Sequence, residues 1–328
     1  MNLKLAIIAA LGLAFAAYLI FYVGFDDVLS ATLAVGWGGF SLLTAFSLVL
    51  FPVLGAAWHV LATGDARHKF SAFLWGRLVR DSAGEILPFS QIGGFVIGAR
   101  AAILKGIPAP LAFGSTIVDV STEMMAQIAY VLLGIALLAL QASELGVSSS
   151  LTGALLAGVA LATVAGAIFI LLQKKGLAIT ESLAANLLPE KLAHAKAVAA
   201  SVDAIYRAPR RVWMSFLLHL LAWIGSAFIS WAAFVMMGAR IDLFSVIVID
   251  SLVYAARTVV FFVPNALGVQ EGAYALLAPM FGAGAELGLA VSLLKRARDI
   301  VIGVPVLVLW QAMEGKSALK DAAMPGAE

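Results

Sequence analysis

The sequence contains no cysteine. Disulfides, iron–sulfur clusters and thiol nucleophiles are therefore excluded, and cysteine usage says nothing about the redox state of the compartment. Charged residues are also scarce, at 12% of 328 residues. A soluble domain of this length could not cover its surface with so few charges, so the composition excludes an ordinary soluble protein.

Histidine is rare as well. The positions of the four histidines show none of the spacings by which histidines ligate a metal ion. No metal and no cofactor are predicted, and no nucleic-acid partner is expected. The four are His59, His68, His194 and His219.

The sequence patterns of several enzyme classes are missing. There is no G-x-x-x-x-G-K-[ST] loop, no H-E-x-x-H and no G-x-S-x-G. Asp26-Asp27 does not continue into the DDxxD pattern that holds magnesium in prenyl-diphosphate enzymes. We therefore predict no catalytic residue and no enzymatic activity. Two alternatives stay open: an integral lipid-modifying enzyme that uses Glu85 and Glu271 as acid and base, and a scaffold protein.

Long apolar runs dominate what the chain does contain. Hydrophobic residues make up 62% of it, and the mean hydropathy is +1.02. A run of about 20 apolar residues is long enough to cross the hydrocarbon core as a helix. The sequence predicts an all-α polytopic integral membrane protein with six full spans, at 3–23, 33–62, 108–140, 151–173, 213–237 and 286–312.

Two regions, 71–105 and 243–283, are too polar or too often interrupted by glycine and proline to form one span each. Each is long enough for two helices joined by a turn, and we predict two re-entrant helical hairpins. In the second region, Pro264 lacks an N–H, and Gly268 and Gly272 permit a tight break. Non-helical backbone at membrane depth is tolerated only where protein or a water-filled cavity surrounds it.

Lysine and arginine placement predicts the orientation, because positively charged loops stay in the cytoplasm. Lys4 places the N-terminus in the cytoplasm. The C-terminus lies there too if each hairpin returns to the side from which it entered. The first run is favoured over a cleaved signal peptide because its A-x-A-like triplet, residues 14–16, lies inside the run. Segment 174–211 is predicted to be a cytoplasmic amphipathic segment on the membrane surface, with a plain linker as the alternative.

The predicted elements form two halves. Residues 1–150 hold spans 1–3 with hairpin 71–105, and residues 151–328 hold spans 4–6 with segment 174–211 and hairpin 243–283. The second set is inverted relative to the first, which is the architecture of many transporters, with the substrate site near the midplane. An offset of 176 residues relates Trp37 to Trp213, Pro88 to Pro264, Gly106 to Gly282 and Glu123 to Asp299.

Charged and polar groups near the predicted breaks are candidates for a substrate site, because a charge inside the membrane costs about 2.5–3.5 kcal/mol. Each also has a structural interpretation. Arg67, Lys69, Arg77 and Arg80 can be interfacial anchors. Asp250 and Arg257 can line a cavity or pair with each other. We predict twelve substrate-binding residues: Arg80, Glu85, Gln91, Asp119, Glu123, Arg257, Asn265, Gln270, Glu271, Lys295, Arg296 and Asp299.

Helical spacing predicts which of these charges share a face. Asp119 and Glu123 are four residues apart, and so are Lys295 and Asp299, which can form an ion pair within one helix. The 176-residue offset places Asp119 opposite Lys295 in the repeat. Their opposite charges predict an ion pair across the axis that relates the two halves.

Two stretches carry a specific motif. The first contains Arg80, Gly84-Glu85, Pro88 and Gly93-Gly94, and a charged helix follows Pro108. The second reads VPNALGVQEG over 263–272 and is followed by LLKR at 293–296. The P-x3-G-V-x-E pattern before an apolar helix is the most specific part.

These stretches resemble the lysylphosphatidylglycerol synthase transmembrane-region (flippase-like) family, over nearly the whole chain. Within it, the chain looks most like the hopanoid-biosynthesis-associated membrane proteins, which carry a similar P-N-A-L-G-V-Q-E-G-A-Y stretch. The resemblance implies functional importance for seven residues: Arg80, Glu85, Pro88, Pro264, Gly268, Glu271 and Arg296.

The resemblance also implies a function. We expect a flippase-like transporter that moves hopanoid or related lipids across or out of the bacterial inner membrane. Its partners would be membrane lipids, either hopanoid or phospholipid, with hopanoid-biosynthesis enzymes or a lipid-export machinery as further candidates. An accessory subunit of a lipid-biosynthesis complex is an additional alternative.

Overall fold

The computed structural model describes residues 14–15, 17–87, 90–141, 153, 189–260 and 263–323. Within these ranges the regular structure is entirely helical. Three short 3₁₀ turns, at Gly64–His68, Pro264–Ala266 and Ala278–Phe281, accompany the α-helices. The α-helices are α1 Ala17–Val23, α2 Phe25–Ala34, α3 Gly36–His59, α4 Phe70–Ile86, α5 Ser90–Leu104, α6 Ala109–Gln141, α7 Pro189–Tyr206, α8 Pro209–Met236, α9 Leu243–Val259, α10 Val269–Leu277 and α11 Ala285–Ala323.

Three described helices, α3, α6 and α8, are long and apolar enough to cross a membrane. They lie where spans 33–62, 108–140 and 213–237 were predicted. Helices α1 and α2 would make a fourth span if they count as one, but they are bent by 95° at Gly24. The protein is therefore a multi-pass membrane protein.

The other predicted spans have different outcomes. Span 3–23 is described only from residue 14 onward, and span 151–173 lies outside the described residues except for residue 153. Span 286–312 lies within α11, which is continuous past Pro305. It carries the charged residues Lys295, Arg296, Arg298 and Asp299, and it is not among the described helices found long and apolar enough to cross a membrane.

Both interrupted regions consist of two helices joined by a break. In the first region, α4 ends at Ile86, Leu87 is extended, and α5 begins at Ser90; the predicted break residue Pro88 lies outside the described residues. Helices α4 and α5 pack against each other very closely. A Cβ at Gly98 would lie 2.5 Å from the Arg80 Cβ, so this contact requires a glycine.

The second break is built from residues in left-handed backbone. Asn265 has φ +50° and Gly268 has φ +81°, a conformation that glycine adopts without the steric cost of a side chain. Helix α10 then begins at Val269, and the Glu271 carboxylate accepts the Gly268 N–H at 2.8 Å, which caps the new helix. The predicted break at Pro264 and Gly268 is confirmed, whereas Gly272 lies inside α10 and takes no part in the break.

The start of α9 is held by a side-chain cap in the loop after α8. Asp242 accepts the backbone N–H of Ser245 at 3.0 Å and the Ser245 hydroxyl at 2.5 Å. Partial burial alone would raise the pKa of Asp242, but the hydrogen bonds from Ser245 and from the backbone outweigh burial and hold this pKa below its usual value.

The predicted 176-residue offset recurs in the positions of the helices. Helix α6 begins at Ala109 and α11 at Ala285, which is 176 residues later. Each follows a glycine in left-handed backbone, Gly106 with φ +85° and Gly282 with φ +79°. The same kind of turn therefore precedes the charged helix in each half.

Within the segment predicted over 174–211, the structure describes α7 and the start of α8, and residues 174–188 lie outside the described part of the chain. Val202 and Ile205 of α7 are buried in a core with Trp58, Phe73 and Ala112. Helix α7 therefore packs against α6 of the protein core and does not lie on the membrane surface alone.

Gly134 marks a close contact between α6 and α9. A Cβ at this position would lie 1.8 Å from the Ser251 Oγ and 2.8 Å from the Ser251 Cβ. We expect Gly134→Ala to destabilise the protein by about 1–3 kcal/mol because it overpacks this contact. Denaturant unfolding in detergent would measure the change.

The control is the same substitution at Gly38 of α3, where nothing lies within 4 Å of the added Cβ. Gly38→Ala should leave stability equal or slightly higher, because alanine favours a helix over glycine. Adding Ser251→Gly to Gly134→Ala should restore stability. A Gly134→Ala protein as stable as the wild type would contradict the close contact.

Candidate functional site

A cavity of about 450 Å³ lies among α3, α4, α5, α6, α8, α9 and α11 and reaches the second break. Its wall is unusually rich in charge for a chain with so few charged residues. Four guanidinium groups and four carboxylates line it, together with polar and aromatic side chains such as Gln127, Trp223 and Tyr254. The charged lining residues are Arg77, Arg80, Asp81, Glu85, Glu123, Arg257, Arg298 and Asp299.

The first charged cluster joins α4 to α6. The Arg80 Nη1 lies 2.5 Å from the Asp119 Oδ2, and the Arg77 Nη2 lies 2.6 Å from the Glu123 Oε1. Arg80 also donates to Glu123, and the Arg77 Nε donates to Asp81 at 2.9 Å. This geometry follows from helical spacing, because Asp119 and Glu123 share one face of α6 as predicted.

Burial excludes one interpretation of these arginines. Arg77 and Arg80 are only 3% and 4% exposed. The sequence allowed them to be interfacial anchors, and that interpretation is wrong. The carboxylates of α6 compensate the two guanidinium charges, which allows both to lie inside the protein. Arg67 and Lys69, by contrast, are exposed as an interfacial anchor would be.

His219 of α8 belongs to the same cluster, although the sequence did not point to it. Its Nε2 lies 2.9 Å from the Asp119 Oδ1, and its side chain is completely buried. Because a carboxylate only accepts, Nε2 carries the hydrogen. The signal that could have found it is simple: His219 is an ionisable residue inside the predicted span 213–237.

Asp119, Glu123 and His219 place ligand atoms within 4.8 Å of one another, which would suit a metal ion. The surrounding charges argue against one. Arg77 and Arg80 already donate to both carboxylates, and two guanidinium groups beside a divalent cation would repel it. The donor set therefore fits an ion-pair network better than a metal centre.

The second cluster joins the two interrupted regions. The Arg257 Nη2 lies 2.8 Å from the Glu85 Oε1 and 3.1 Å from the Asn265 Oδ1, and its Nη1 lies 2.6 Å from the Gln270 Oε1. The Asn265 amide donates to the Glu85 backbone carbonyl at 2.6 Å. One guanidinium therefore connects the end of α4 to the second break, and four predicted site residues meet here.

Lys295 and Asp299 do not pair with each other, so that prediction is wrong. The Lys295 Nζ lies 2.8 Å from the Asp250 Oδ1 and also contacts Ser230 and the Tyr274 hydroxyl, whereas Asp299 accepts from Arg298 at 2.6 Å. Asp250 is completely buried and requires a cation, and Lys295 supplies it from the facing helix.

The other two predicted pairings also fail. Asp119 bonds to Arg77, Arg80 and His219, so it does not pair with Lys295 across the two halves. Asp250 and Arg257 have different partners and do not pair with each other.

Glu271 and Arg296 form a separate pair beside the second break. The Arg296 Nε lies 3.0 Å from the Glu271 Oε1, which also accepts from Ser292 at 3.1 Å. With its other oxygen on the Gly268 N–H, Glu271 holds the start of α10. The position next to the break was predicted, but the contacts of Glu271 are those of a helix cap.

The twelve predicted site residues therefore divide by position. Those that line the cavity are Arg80, Glu85, Glu123, Arg257, Asn265 and Asp299. Those behind the wall, among the described residues, are Asp119, Gln270, Glu271, Lys295 and Arg296. The side chain of Gln91 lies outside what the structure describes.

Several lining residues are separated by the same 176 residues that relate α6 to α11. The lining pairs so related are Ser47 and Trp223, Leu50 and Ser226, Asp81 and Arg257, Ser82 and Thr258, Glu123 and Asp299, and Gln127 and Gly303. Of the two charged pairs, one has opposite signs and the other has equal signs.

Comparison with known proteins gives one positive finding. The family model described as the lysylphosphatidylglycerol synthase TM region matches residues 8–306, a range that contains all the residues that line the cavity. No curated protein and no solved structure was found to be similar to the chain.

Proposed function

The chain belongs to the lysylphosphatidylglycerol synthase TM-region family, and from this premise we propose that it is a flippase-like lipid transporter. It would move hopanoid or related lipids across or out of the bacterial inner membrane. The observation that carries the proposal is the charge-lined cavity among helices that are long and apolar enough to span a membrane.

A transporter of this kind must offer a polar path for a headgroup and an apolar surface for the rest of the lipid. The cavity supplies the polar path through its paired charges and amides. The outer faces supply the apolar surface, because large hydrophobic side chains such as Val49, Leu221 and Val308 are exposed. A headgroup could then cross while the apolar body of the lipid remains in the bilayer.

The proposed architecture is six full spans with two re-entrant hairpins in an inverted repeat, and with both termini in the cytoplasm. The two helix breaks and the 176-residue offset support it. The contact between Arg257 and Glu85 supports a meeting point of the two hairpins at the cavity wall. A site at such a meeting point is typical of transporters with broken helices.

The hopanoid assignment depends on the stretch over 264–274. Two of its side chains, Asn265 and Gln270, hold the Arg257 guanidinium in place at the cavity. We propose that this arrangement brings charged and amide groups together, where they can hydrogen-bond to a headgroup that carries hydroxyls. Hopanoid-biosynthesis enzymes or a lipid-export machinery would be the protein partners that supply or receive the lipid.

The geometry supports transport rather than catalysis. An acid–base mechanism by Glu85 and Glu271 requires both carboxylates beside one substrate. Glu271 instead lies outside the cavity lining with its oxygens bound to Gly268, Ser292 and Arg296. Lipid mass spectrometry of a deletion strain discriminates the two: loss of a modified lipid favours an enzyme, and altered leaflet distribution of unchanged lipids favours transport.

The direct test is to fill the cavity. Ser226 of α8 lines the cavity. We expect Ser226→Trp to slow lipid movement in liposomes by at least about tenfold, because the larger side chain would block the path of any headgroup. The measurement is the rate at which a labelled lipid with an unmodified headgroup leaves one leaflet.

Leu221→Trp is the matched control on the same helix, because Leu221 is 54% exposed. It should keep the wild-type rate. If liposomes that contain wild-type protein move lipid no faster than protein-free liposomes, the transport proposal is rejected. A wild-type rate in folded Ser226→Trp protein would instead reject this cavity as the path.

A further inference from the structure

Gln127 of α6 presents an uncharged hydrogen-bond acceptor at the cavity wall. Its side chain lines the cavity and is half-buried. The amide Nε2 donates to the Thr258 Oγ1 at 2.6 Å and to the Tyr254 backbone carbonyl at 3.3 Å. The amide Oε1 accepts no hydrogen bond from any described residue, and it is not one of their buried atoms that lack a partner. Oε1 is therefore accessible and free to accept from a ligand.

The orientation of this amide follows from its two contacts on α9. The Thr258 Oγ1 donates its single hydrogen to the Tyr254 carbonyl at 2.9 Å, so it accepts from Gln127. In the reverse orientation, Oε1 would lie beside a carbonyl oxygen that can only accept, and one hydroxyl hydrogen would have to serve two acceptors. Helix α9 therefore holds the nitrogen end of the amide, and the oxygen end remains for a ligand.

Glu123, one helical turn before Gln127, offers no such free acceptor. Both of its carboxylate oxygens already accept from Arg77 or Arg80. Residues four apart share one face of a helix. Along the cavity face of α6, a paired charge is therefore followed within one turn by a free neutral acceptor.

Trp223 of α8 supplies a complementary donor. It lines the same cavity, and its ring centroid lies 4.5 Å from that of Tyr254. Its indole N–H has no acceptor among the described residues, and Nε1 is not one of their buried atoms that lack a partner. An indole nitrogen donates and does not accept. The residues in contact with Tyr254 thus present one free acceptor, on Gln127, and one free donor.

The two cations over the Tyr254 ring are already paired. The Lys295 Nζ lies 5.1 Å and the Arg257 Cζ 5.5 Å from the ring centroid. Lys295 contacts Asp250 at 2.8 Å, and Arg257 contacts Glu85 at 2.8 Å. Because each cation has a carboxylate partner, hydrogen bonding rather than net charge distinguishes ligands at this part of the wall.

We propose that Gln127 is a specificity-determining residue that accepts a hydrogen bond from a headgroup hydroxyl, while the Trp223 indole donates to a hydroxyl oxygen of the same headgroup. A hydroxyl both donates and accepts, so a polyol satisfies both groups. An ionised phosphate cannot donate to Gln127, and an ammonium group cannot accept from Trp223. A methyl ether accepts from Trp223 but leaves the Gln127 Oε1 unpaired once the lipid has displaced water, which weakens binding.

This inference rests on the proposed function only for the ligand being a membrane lipid, and it can be tested without transport. The probes are a hopanoid with a free polyol headgroup and the same hopanoid with every hydroxyl O-methylated. Calorimetry on detergent-solubilised protein gives the Kd of each. Wild-type protein should bind the polyol at least about tenfold more tightly than its methyl ether.

The test variant is Gln127→Met, which keeps a similar shape but removes the amide. The ratio of the two Kd values should fall about tenfold, because the methyl ether no longer leaves an amide oxygen unpaired. Gln127→Glu keeps accepting oxygens and should retain the preference for the polyol. Gln311→Met is the matched control, because Gln311 is exposed on α11 and lies outside the cavity lining. It should keep the wild-type ratio.

Trp223→Phe should give a different result, which separates the two roles. It removes the indole N–H and keeps an aromatic ring beside Tyr254. Because hydroxyl and ether oxygens both accept, the affinity for both lipids should fall by a similar factor and their ratio should stay near that of the wild type. A purely structural role of Gln127 would produce this same pattern in Gln127→Met.

Two results would overturn the inference. One is equal affinity of wild-type protein for the polyol and the methyl ether, a comparison that requires no variant to fold. The other is a wild-type ratio in folded Gln127→Met protein.

Lipid movement in liposomes keeps this inference separate from the transport proposal. Preferential binding of the polyol without movement of either lipid would retain the role of Gln127 and reject transport. Movement of both lipids at equal rates, without preferential binding, would retain transport and reject the role of Gln127. Neither binding nor movement of either lipid would reject both.

Discussion

Replacing Arg80 with leucine should destabilise the protein by about 3–5 kcal/mol, the largest effect on stability that we expect from one substitution. The Arg80 guanidinium is buried and donates to Asp119 and Glu123. Removing one partner of a buried ion pair leaves the other charges desolvated and uncompensated. Denaturant or thermal unfolding in detergent would measure the loss.

Arg100→Leu is the matched control for this prediction. Arg100 pairs with Glu314 at 2.8 Å, but its side chain is 45% exposed. An exposed pair contributes only about 0–1 kcal/mol, so this variant should remain close to the wild type.

Arg80→Lys should fall between the two. It keeps the charge but cannot reach two carboxylates with one planar group. If Arg80→Leu and Arg100→Leu changed stability equally, the network between α4 and α6 would not be desolvated in the way that the structure indicates.

Reversing the charge of Arg257 should reduce lipid movement by at least about tenfold, the largest effect on function that we expect. Arg257→Glu would place a second carboxylate beside Glu85 at the junction of the two interrupted regions. Loss of one partner of a desolvated charge pair costs about 2–5 kcal/mol, and like charges add repulsion. The rate of lipid movement in liposomes is the measurement.

The double variant Glu85→Arg with Arg257→Glu tests the contact itself. It restores opposite charges across the junction, although not the bonds from Asn265 and Gln270, so it should recover part of the lost rate. Arg240→Glu makes the same change at an exposed position and should be silent. If the folded double variant moves lipid no faster than Arg257→Glu, lipid movement does not depend on the pairing of residues 85 and 257.

The interrupted helices were predictable because local chemistry determines them. Pro264 cannot donate a hydrogen bond, and Gly268 adopts the left-handed backbone that the turn requires. The face shared by Asp119 and Glu123 was predictable for a similar reason, since residues four apart lie on one side of a helix. Such rules operate within one turn or one helix.

The ion-pair partners were not predictable in the same way. Spacing suggested that Lys295 would pair with Asp299, but Lys295 reaches Asp250 on another helix. Helical periodicity shows which residues share a face, and it does not show which helix that face meets. His219 was missed because its partner, Asp119, lies 100 residues earlier in the chain.

The sequence by itself determined that this is a helical membrane protein with interrupted segments, because bilayer thickness, scarce charge and backbone chemistry leave few other solutions. The tertiary structure alone decided where the charges meet. Contacts such as Glu85 with Arg257 and Asp119 with His219 depend on how distant helices are rotated and packed against one another. That packing brings the scattered charged residues together around one cavity.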